Sequence, residues 1–387
     1  MKRVVIVGAS LAGVRTASAL RREGFSGEIT VIGDEPHLPY DRPPMSKQVL
    51  QGKWGIEKTG LLSTEQMAEL GAEWILGDAA QQLDVSSRTI RTKSGREVEG
   101  TYVVIATGAR ARRLPFSADN EIFTMRTLDD AQQLAATCDS LPQRATVAVI
   151  GGGFIGAEVA TALHARELRP IVLEAQARPL QGVVGEEVAT WLEGLPGAAG
   201  IELRVNQNVL DVVRTPSGFQ VILADGSMEA DAVVAGVGAV PNCEWLESSG
   251  VAIQRGLVVD EYLLAAPGIY GAGDVAVFPF TSAGETEHVR IEHWQIANDH
   301  ASYIARSILT DESQPFTTVP YFWSDQYGKK IQMLGHPRPS DEVTIVSGSP
   351  DDGKWLAHYR RHGVVTGVVA LNNARELMLS RPLLENV

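Results

Sequence analysis

Apolar positions in this chain fall into short continuous runs. Residues 3–7, 102–106, 145–150 and 232–240 are largely apolar, and helical stretches follow the first and third, from Val14 to Glu23 and from Glu158 to Arg166. Unbroken apolar strands are those buried on both faces, and their alternation with helices predicts parallel sheet and an α/β fold class. The same grammar occurs twice, roughly 140 residues apart. Arg3-Val4-Val5-Ile6-Val7 runs into Gly8-Ala9-Ser10-Leu11-Ala12-Gly13, and a strand Glu28 to Ile32 ends at Asp34-Glu35. Ala145 to Ile150 runs into Gly151-Gly152-Gly153-Phe154-Ile155-Gly156, and a strand Pro170 to Leu173 ends at Glu174.

A glycine turn between strand and helix lets a pyrophosphate lie against backbone N–H groups at a helix N-terminus. Two such units predict two Rossmann-like dinucleotide-binding domains. The second copy fits the pattern at Gly151, Gly153 and Gly156, and Glu174 follows 18 residues after the last glycine, at the place of an acid that accepts from a ribose hydroxyl. Such an acid favours NADH over NADPH, although Arg178 lies nearby. The first copy departs from the pattern, with Ser10 at the middle position, and a purely structural strand–helix turn is the alternative there. Polar stretches at Arg110 to Arg113 and at Pro241-Asn242 read as hinges. After a further polar stretch, Thr310 to Pro315, strand-like runs at Lys330 to Leu334, Val343 to Val346 and Val364 to Leu371 predict a small C-terminal α+β domain. The expected division is 1–112 with 241–315, then 113–240, then 316–387.

Composition narrows the function. A formal charge of −13 argues against nucleic acid and anionic membrane surfaces. No apolar run approaches the roughly 20 residues that span a bilayer. Met1-Lys2-Arg3 leads directly into the first strand, leaving no room for a signal peptide, so a cytoplasmic location is expected. The two cysteines, Cys138 and Cys243, stand far apart. They form neither a metal cluster nor a redox-active pair, and read as small buried hydrophobes. No metal site is expected.

Beyond the first unit comes Pro39-Tyr40-Asp41-Arg42-Pro43-Pro44-Met45-Ser46-Lys47, by composition a solvated loop. It resembles a signature of the oxygenase-coupled NADH-dependent ferredoxin reductases. These are FAD-dependent pyridine nucleotide oxidoreductases of glutathione-reductase-like fold, related to putidaredoxin reductase and more distantly to apoptosis-inducing factor. The resemblance continues in order through Val104-Ile105-Ala106-Thr107-Gly108, Gly236-Val237-Gly238-Ala239-Val240-Pro241-Asn242, Tyr270-Gly271-Ala272-Gly273-Asp274-Val275, Glu292-His293-Trp294 and Phe322-Trp323-Ser324-Asp325-Gln326.

The resemblance implies FAD and NADH as cofactors. It carries Gly8, Ser10, Gly13, Asp34 and Glu35 onto the FAD adenosine end, and Arg42 and Lys47 onto the pyrophosphate and flavin. Thr107, Gly108, Gly273 and Asp274 line the rest of that site. Gly151, Gly153, Phe154, Ile155, Gly156, Glu174 and Gly238 fall to NADH, and His293, Trp294 and Trp323 face the rings. Lys47 and Glu158 are the catalytic candidates: a lysine near the isoalloxazine stabilises negative charge, and Glu158 pairs with it across the flavin. A surface cation, a solvated helix residue and two core tryptophans are the alternatives for Lys47, Glu158 and the Trp294/Trp323 pair.

The implied reaction moves a hydride from NADH to flavin and releases electrons singly to an external iron–sulfur protein, a ferredoxin. An acidic ferredoxin needs a local basic patch, for which Lys329, Lys330, Arg290 and Arg360-Arg361 are candidates. A reductase of rubredoxin, a quinone, monodehydroascorbate or dioxygen remains open, as does an NADH-sensing interaction flavoprotein.

Overall fold

The computed structural model describes residues 2–310 and 314–385. The polar stretch Thr310 to Pro315 therefore lies partly outside the described residues. The chain divides into two compact units: Met1–Asp41 with Gly60–Arg110 and Val240–Phe322, and Arg42–Thr59 with Ala111–Ala239 and Trp323–Val387.

In the first unit, a six-stranded sheet runs in the order Leu264–Ala266, Ile269–Gly271, Tyr102–Ile105, Arg3–Val7, Glu28–Ile32, Glu73–Ile75. Arg3–Val7 is central and pairs in parallel on both sides, with Val4 opposite Ile29 and Tyr102. Its residues Val4, Val5 and Ile6 are fully buried, which explains why the run is unbroken rather than alternating. The helices Leu11–Arg22 and Trp294–Leu309 pack against each other. Two three-stranded sheets complete this unit.

The second unit contains a four-stranded parallel sheet, in the order Glu202–Arg204, Arg169–Leu173, Thr146–Ile150, Ala232–Ala235. Val147, Ala148 and Val149 are fully buried at its centre. A three-stranded antiparallel sheet over residues 209–230 packs into the same core through Val212, Phe219 and Val221.

The C-terminal segment forms a five-stranded sheet in the order Tyr321–Gln326, Lys329–Gly335, Val364–Leu371, Lys354–Arg361, Glu342–Ser349, with the short helix Ala374–Leu379 beside it. This is the expected α+β architecture with two more strands than the sequence suggests. Lys354–Arg361 escapes a hydrophobicity reading because it carries Lys354, His358, Arg360 and Arg361. Arg361 can nonetheless be buried, since its guanidinium meets Asp341 at 2.8 and 3.0 Å and Thr366 donates to the same carboxylate at 2.7 Å.

Candidate functional site

Three constellations gather the residues singled out from the sequence. The first is the glycine turn of the first unit. Gly8 has φ +123°, and a Cβ there would lie 2.1 Å from the Ala106 carbonyl oxygen; a Cβ at Gly13 would lie 1.8 Å from the Gly8 carbonyl oxygen. Both positions require glycine. Ser10 occupies the N-cap of the Leu11–Arg22 helix with extended backbone, φ −101°, so a side chain is tolerated where the pattern expects the middle glycine.

Near this turn, Thr107 and Asn242 bond reciprocally, hydroxyl to carbonyl at 2.7 Å and amide to carbonyl at 3.0 Å, and Gly108 takes φ +64°. Asp34 is exposed beyond the Glu28–Ile32 strand, while Glu35 accepts a hydrogen bond from the Tyr40 hydroxyl. Gly273 opens a one-turn helix with Asp274, whose carbonyl accepts from Arg290 at 3.2 Å. Trp294 donates its indole N–H to Asp41 at 2.9 Å, and the Arg15 guanidinium lies 6.0 Å from its ring centroid. His293 is the N-cap of that helix and its ring lies 5.0 Å from that of Phe322.

The second constellation is the glycine turn of the second unit. Gly151 (φ +97°) would place a Cβ 2.6 Å from the Gly236 carbonyl oxygen, and Gly156 would place one 2.0 Å from that of Gly151. Gly153 differs. Its backbone is extended, at φ −69° and ψ −177°, and its Cβ would meet no protein atom closer than 4.0 Å. The fold therefore does not need glycine there, and the space is what the residue supplies. Gly153 caps the Phe154–Ala165 helix without a side chain, so its first-turn N–H groups have no side-chain cap; an anion suits such an end. Ile155 on this first turn is exposed and Phe154 half-buried.

Glu174 accepts from the amides of Gly152 and Gln176, one on each oxygen and both at 2.8 Å, which leaves lone pairs on both oxygens. Arg178, the cation that could meet a 2′-phosphate, is engaged by Glu193 at 2.8 Å and Glu186 at 3.4 Å. Gly238, exposed and at φ +97°, lies in the segment after the Ala232–Ala235 strand and accepts the Arg112 amide at 2.9 Å.

The third constellation, also in the second unit, joins Lys47 to Glu158. Composition suggests a solvated loop for 39–47, but Met45–Val49 closes into a π-type turn in which the Val49 amide bonds the Pro44 carbonyl at 3.0 Å. That turn carries Lys47 inward. Its ammonium lies 2.6 Å from Glu158 Oε2, with side chains 11% and 3% exposed. Ser46 donates to the same oxygen at 2.6 Å, and Ser324 donates to Glu158 Oε1 at 2.6 Å. Arg42 donates to the Arg126 carbonyl at 2.6 Å. Ser46 and Ser324 lie in quoted motifs but were not singled out, because a serine carries no periodicity or charge signal of its own. Trp323, beside Ser324, is half-buried.

Three of the candidate basic residues are in ion pairs. Arg361 is buried against Asp341, Arg290 pairs with Glu292 at 2.5 Å, and Lys330 pairs with Asp325 at 3.3 Å. Cys138 and Cys243 are free and buried, and burial pushes the Cys138 thiol up to about 11. Among the described residues, no helix is long and apolar enough to cross a membrane.

Two strand–glycine–helix turns, each leaving a central strand that is paired in parallel on both sides, define a dinucleotide-binding oxidoreductase. The chain belongs to the pyridine nucleotide-disulphide oxidoreductase family, which matches residues 2–301, and residues 321–387 match the reductase C-terminal domain. It is 34% identical over 387 residues to the ferredoxin–NAD(+) reductase subunit of the benzene 1,2-dioxygenase system of Pseudomonas putida, covering 99% of this chain and 92% of that protein. Rhodocoxin reductase of Rhodococcus erythropolis is 33% identical over 389 residues, covering 98% and 89%. Among solved structures, the covalent putidaredoxin reductase–putidaredoxin complex aligns with TM-score 0.92 and 30% identity, covering 99% of this chain and 92% of that one. The ferredoxin reductase for the CYP199A2 system of Rhodopseudomonas palustris also gives 0.92, at 32% identity over 98% and 94%.

Proposed function

We propose that this chain is an FAD-dependent ferredoxin reductase. It takes a hydride from NADH and passes electrons singly to a ferredoxin that serves an oxygenase, such as a cytochrome P450 or a ring-hydroxylating dioxygenase. The observation that carries this reading is the pair of glycine turns, the second left open at Gly153, in a chain alike over almost its whole length to reductases named for ferredoxins and NAD(+). In this reading residues 1–112 with 241–315 bind FAD, 113–240 bind NADH, and 316–387 form the C-terminal domain. These bounds follow the cofactors rather than compactness. A cytoplasmic location belongs to the same reading, since NADH is an intracellular donor.

Bound FAD supplies the step from a two-electron donor to a one-electron acceptor. The protein binds, orients and excludes water. The turn through Gly8, Ser10 and Gly13 opens the N-terminus of the Leu11–Arg22 helix, whose backbone N–H groups suit the FAD pyrophosphate, while the Gly8 amide itself bonds the Ile32 carbonyl at 2.7 Å; Tyr40 steers Glu35 for the adenosine ribose. Glu174 takes the NADH ribose through lone pairs left over from its two backbone bonds. Glu158, itself fixed by hydrogen bonds from Ser46 and Ser324, holds the Lys47 ammonium in one orientation, so its charge acts from a fixed point in a poorly solvated setting, where it counts for more than in water.

The test is an absorbance titration under anaerobic conditions, followed by a coupled assay. The purified protein is expected to be yellow, to bleach with NADH, and to reduce cytochrome c only when ferredoxin is added. Fast NADH consumption in air without a protein acceptor would identify an oxidase instead, and a yellow protein that NADH bleaches only slowly would point to a sensor.

A further inference from the structure

We propose that His300 is a positioning residue for the FAD site: its Nδ1 accepts the Gly273 amide and so sets the direction in which Asp274 leaves its turn. This rests on the proposed FAD site at Gly273 and Asp274.

Gly273 has φ +69°, a left-handed conformation, and begins a single turn of helix, Gly273–Val275. A Cβ at Gly273 would lie 3.0 Å from the Ala12 Cβ and 3.7 Å from the Ala297 Cβ. The turn is thus wedged between the helix that follows the first glycine motif and the helix Trp294–Leu309. Wedging fixes position and leaves direction open. Direction comes from hydrogen bonds, and the Gly273 N–H donates to His300 Nδ1 at 3.1 Å, while the carbonyl of Asp274 accepts from Arg290 at 3.2 Å. The two-residue segment is held at both ends.

His300 suits this task because its imidazole has one state available. It is fully buried. An Nδ1 that accepts must carry its proton on Nε2, and Nε2 has no hydrogen-bond partner among the described residues. The rings of Phe278 and Phe316 stand nearly perpendicular to it, with centroids at 4.9 and 4.7 Å, so its surroundings are aromatic. Burial pushes its imidazolium down to about 3, leaving the ring neutral and Nδ1 able to accept at physiological pH. A buried N–H without a partner is costly, and a leucine would fill this apolar space without that cost. The histidine therefore earns its place through Nδ1.

Three variants separate position from bulk. His300→Asn places an amide oxygen near the position of Nδ1, His300→Gln carries the oxygen out toward Nε2, and His300→Leu removes the acceptor. The readouts are the FAD dissociation constant of the apoprotein, the visible circular dichroism of bound flavin, and the melting temperature of the apoprotein. His300→Asn is expected to keep wild-type affinity and dichroism, whereas His300→Leu and His300→Gln weaken FAD by about tenfold, the scale of one hydrogen bond, and alter the dichroism. Equal FAD affinity in the Asn and Leu variants overturns the proposal. If the Leu variant fails to fold, the imidazole nitrogen shifts of wild-type His300 decide: a proton on Nδ1 overturns the proposal and a proton on Nε2 supports it. A wild-type protein that binds no FAD would overturn the functional reading as well, whereas wild-type binding with indifferent variants overturns this inference alone.

Discussion

The Ser324 hydroxyl donates to Glu158 Oε1 at 2.6 Å, across 166 positions of sequence. Glu158 already holds Lys47 and Ser46 on its other oxygen, so this bond gives both oxygens of the buried carboxylate a partner. A buried ion pair with its remaining lone pairs satisfied tolerates desolvation; one stripped of a partner does not.

Removing Glu158 is therefore expected to be expensive. Glu158→Ala should cost about 3–5 kcal/mol in urea unfolding, because it leaves Lys47 buried and uncompensated. Ser324→Ala should cost about 1.5–3 kcal/mol, the range of a hydrogen bond to a charged group. Combining Glu158→Ala with Lys47→Met should cost less than the sum of the two single changes. Strict additivity would mean that the pair does not interact.

The two glycine turns predict opposite outcomes for one methyl group. Gly8→Ala meets the Ala106 carbonyl at a positive φ and should destabilise the protein by about 1–3 kcal/mol. Gly153→Ala meets nothing in the protein and should leave stability within about 0.5 kcal/mol of wild type while weakening NADH binding. Melting temperatures and NADH titrations of both variants check the contrast. Unchanged NADH affinity in Gly153→Ala removes the second turn from the binding site.

Coenzyme choice should reside in Glu174 and in the carboxylates that occupy Arg178. Glu174→Ala is expected to weaken NADH more than NADPH. Adding Glu186→Gln and Glu193→Gln should release Arg178 from its present partners and raise the NADPH to NADH ratio of kcat/KM further. Equal losses with both coenzymes after the first change would show that Glu174 does not meet the ribose.

Acid should weaken the first unit through His300. Its folded value of about 3 lies below the ordinary 6.5, so between these values the unfolded chain binds a proton that the folded one does not. Stability from this group is then fully present above pH 6.5 and lost as pH falls, by about 1.4 kcal/mol per unit. The stability difference between pH 7 and pH 5 should shrink in His300→Asn, measured by denaturant unfolding at the two values. An unchanged difference would mean that His300 already titrates normally.

The parallel sheets were legible in the sequence because burial on both faces leaves an unbroken apolar run, as in Val4 to Val7 and Val147 to Ile150. Glycines 8, 13, 151 and 156 were legible because backbone crowding admits no other residue. The Lys354–Arg361 strand was not, since the charge of its buried Arg361 is satisfied by Asp341, 20 positions away.

What the sequence determined by itself is the repeated strand–turn–helix, the absence of paired cysteines and the acid at Glu174, all set by local geometry or by composition. The tertiary structure decided the burial of Lys47, the convergence of Ser46 and Ser324 on Glu158, and the approach of His300 to Gly273. Those contacts join residues remote in sequence, and a hydrogen bond leaves no trace in local periodicity: only folding determines which donor reaches which acceptor.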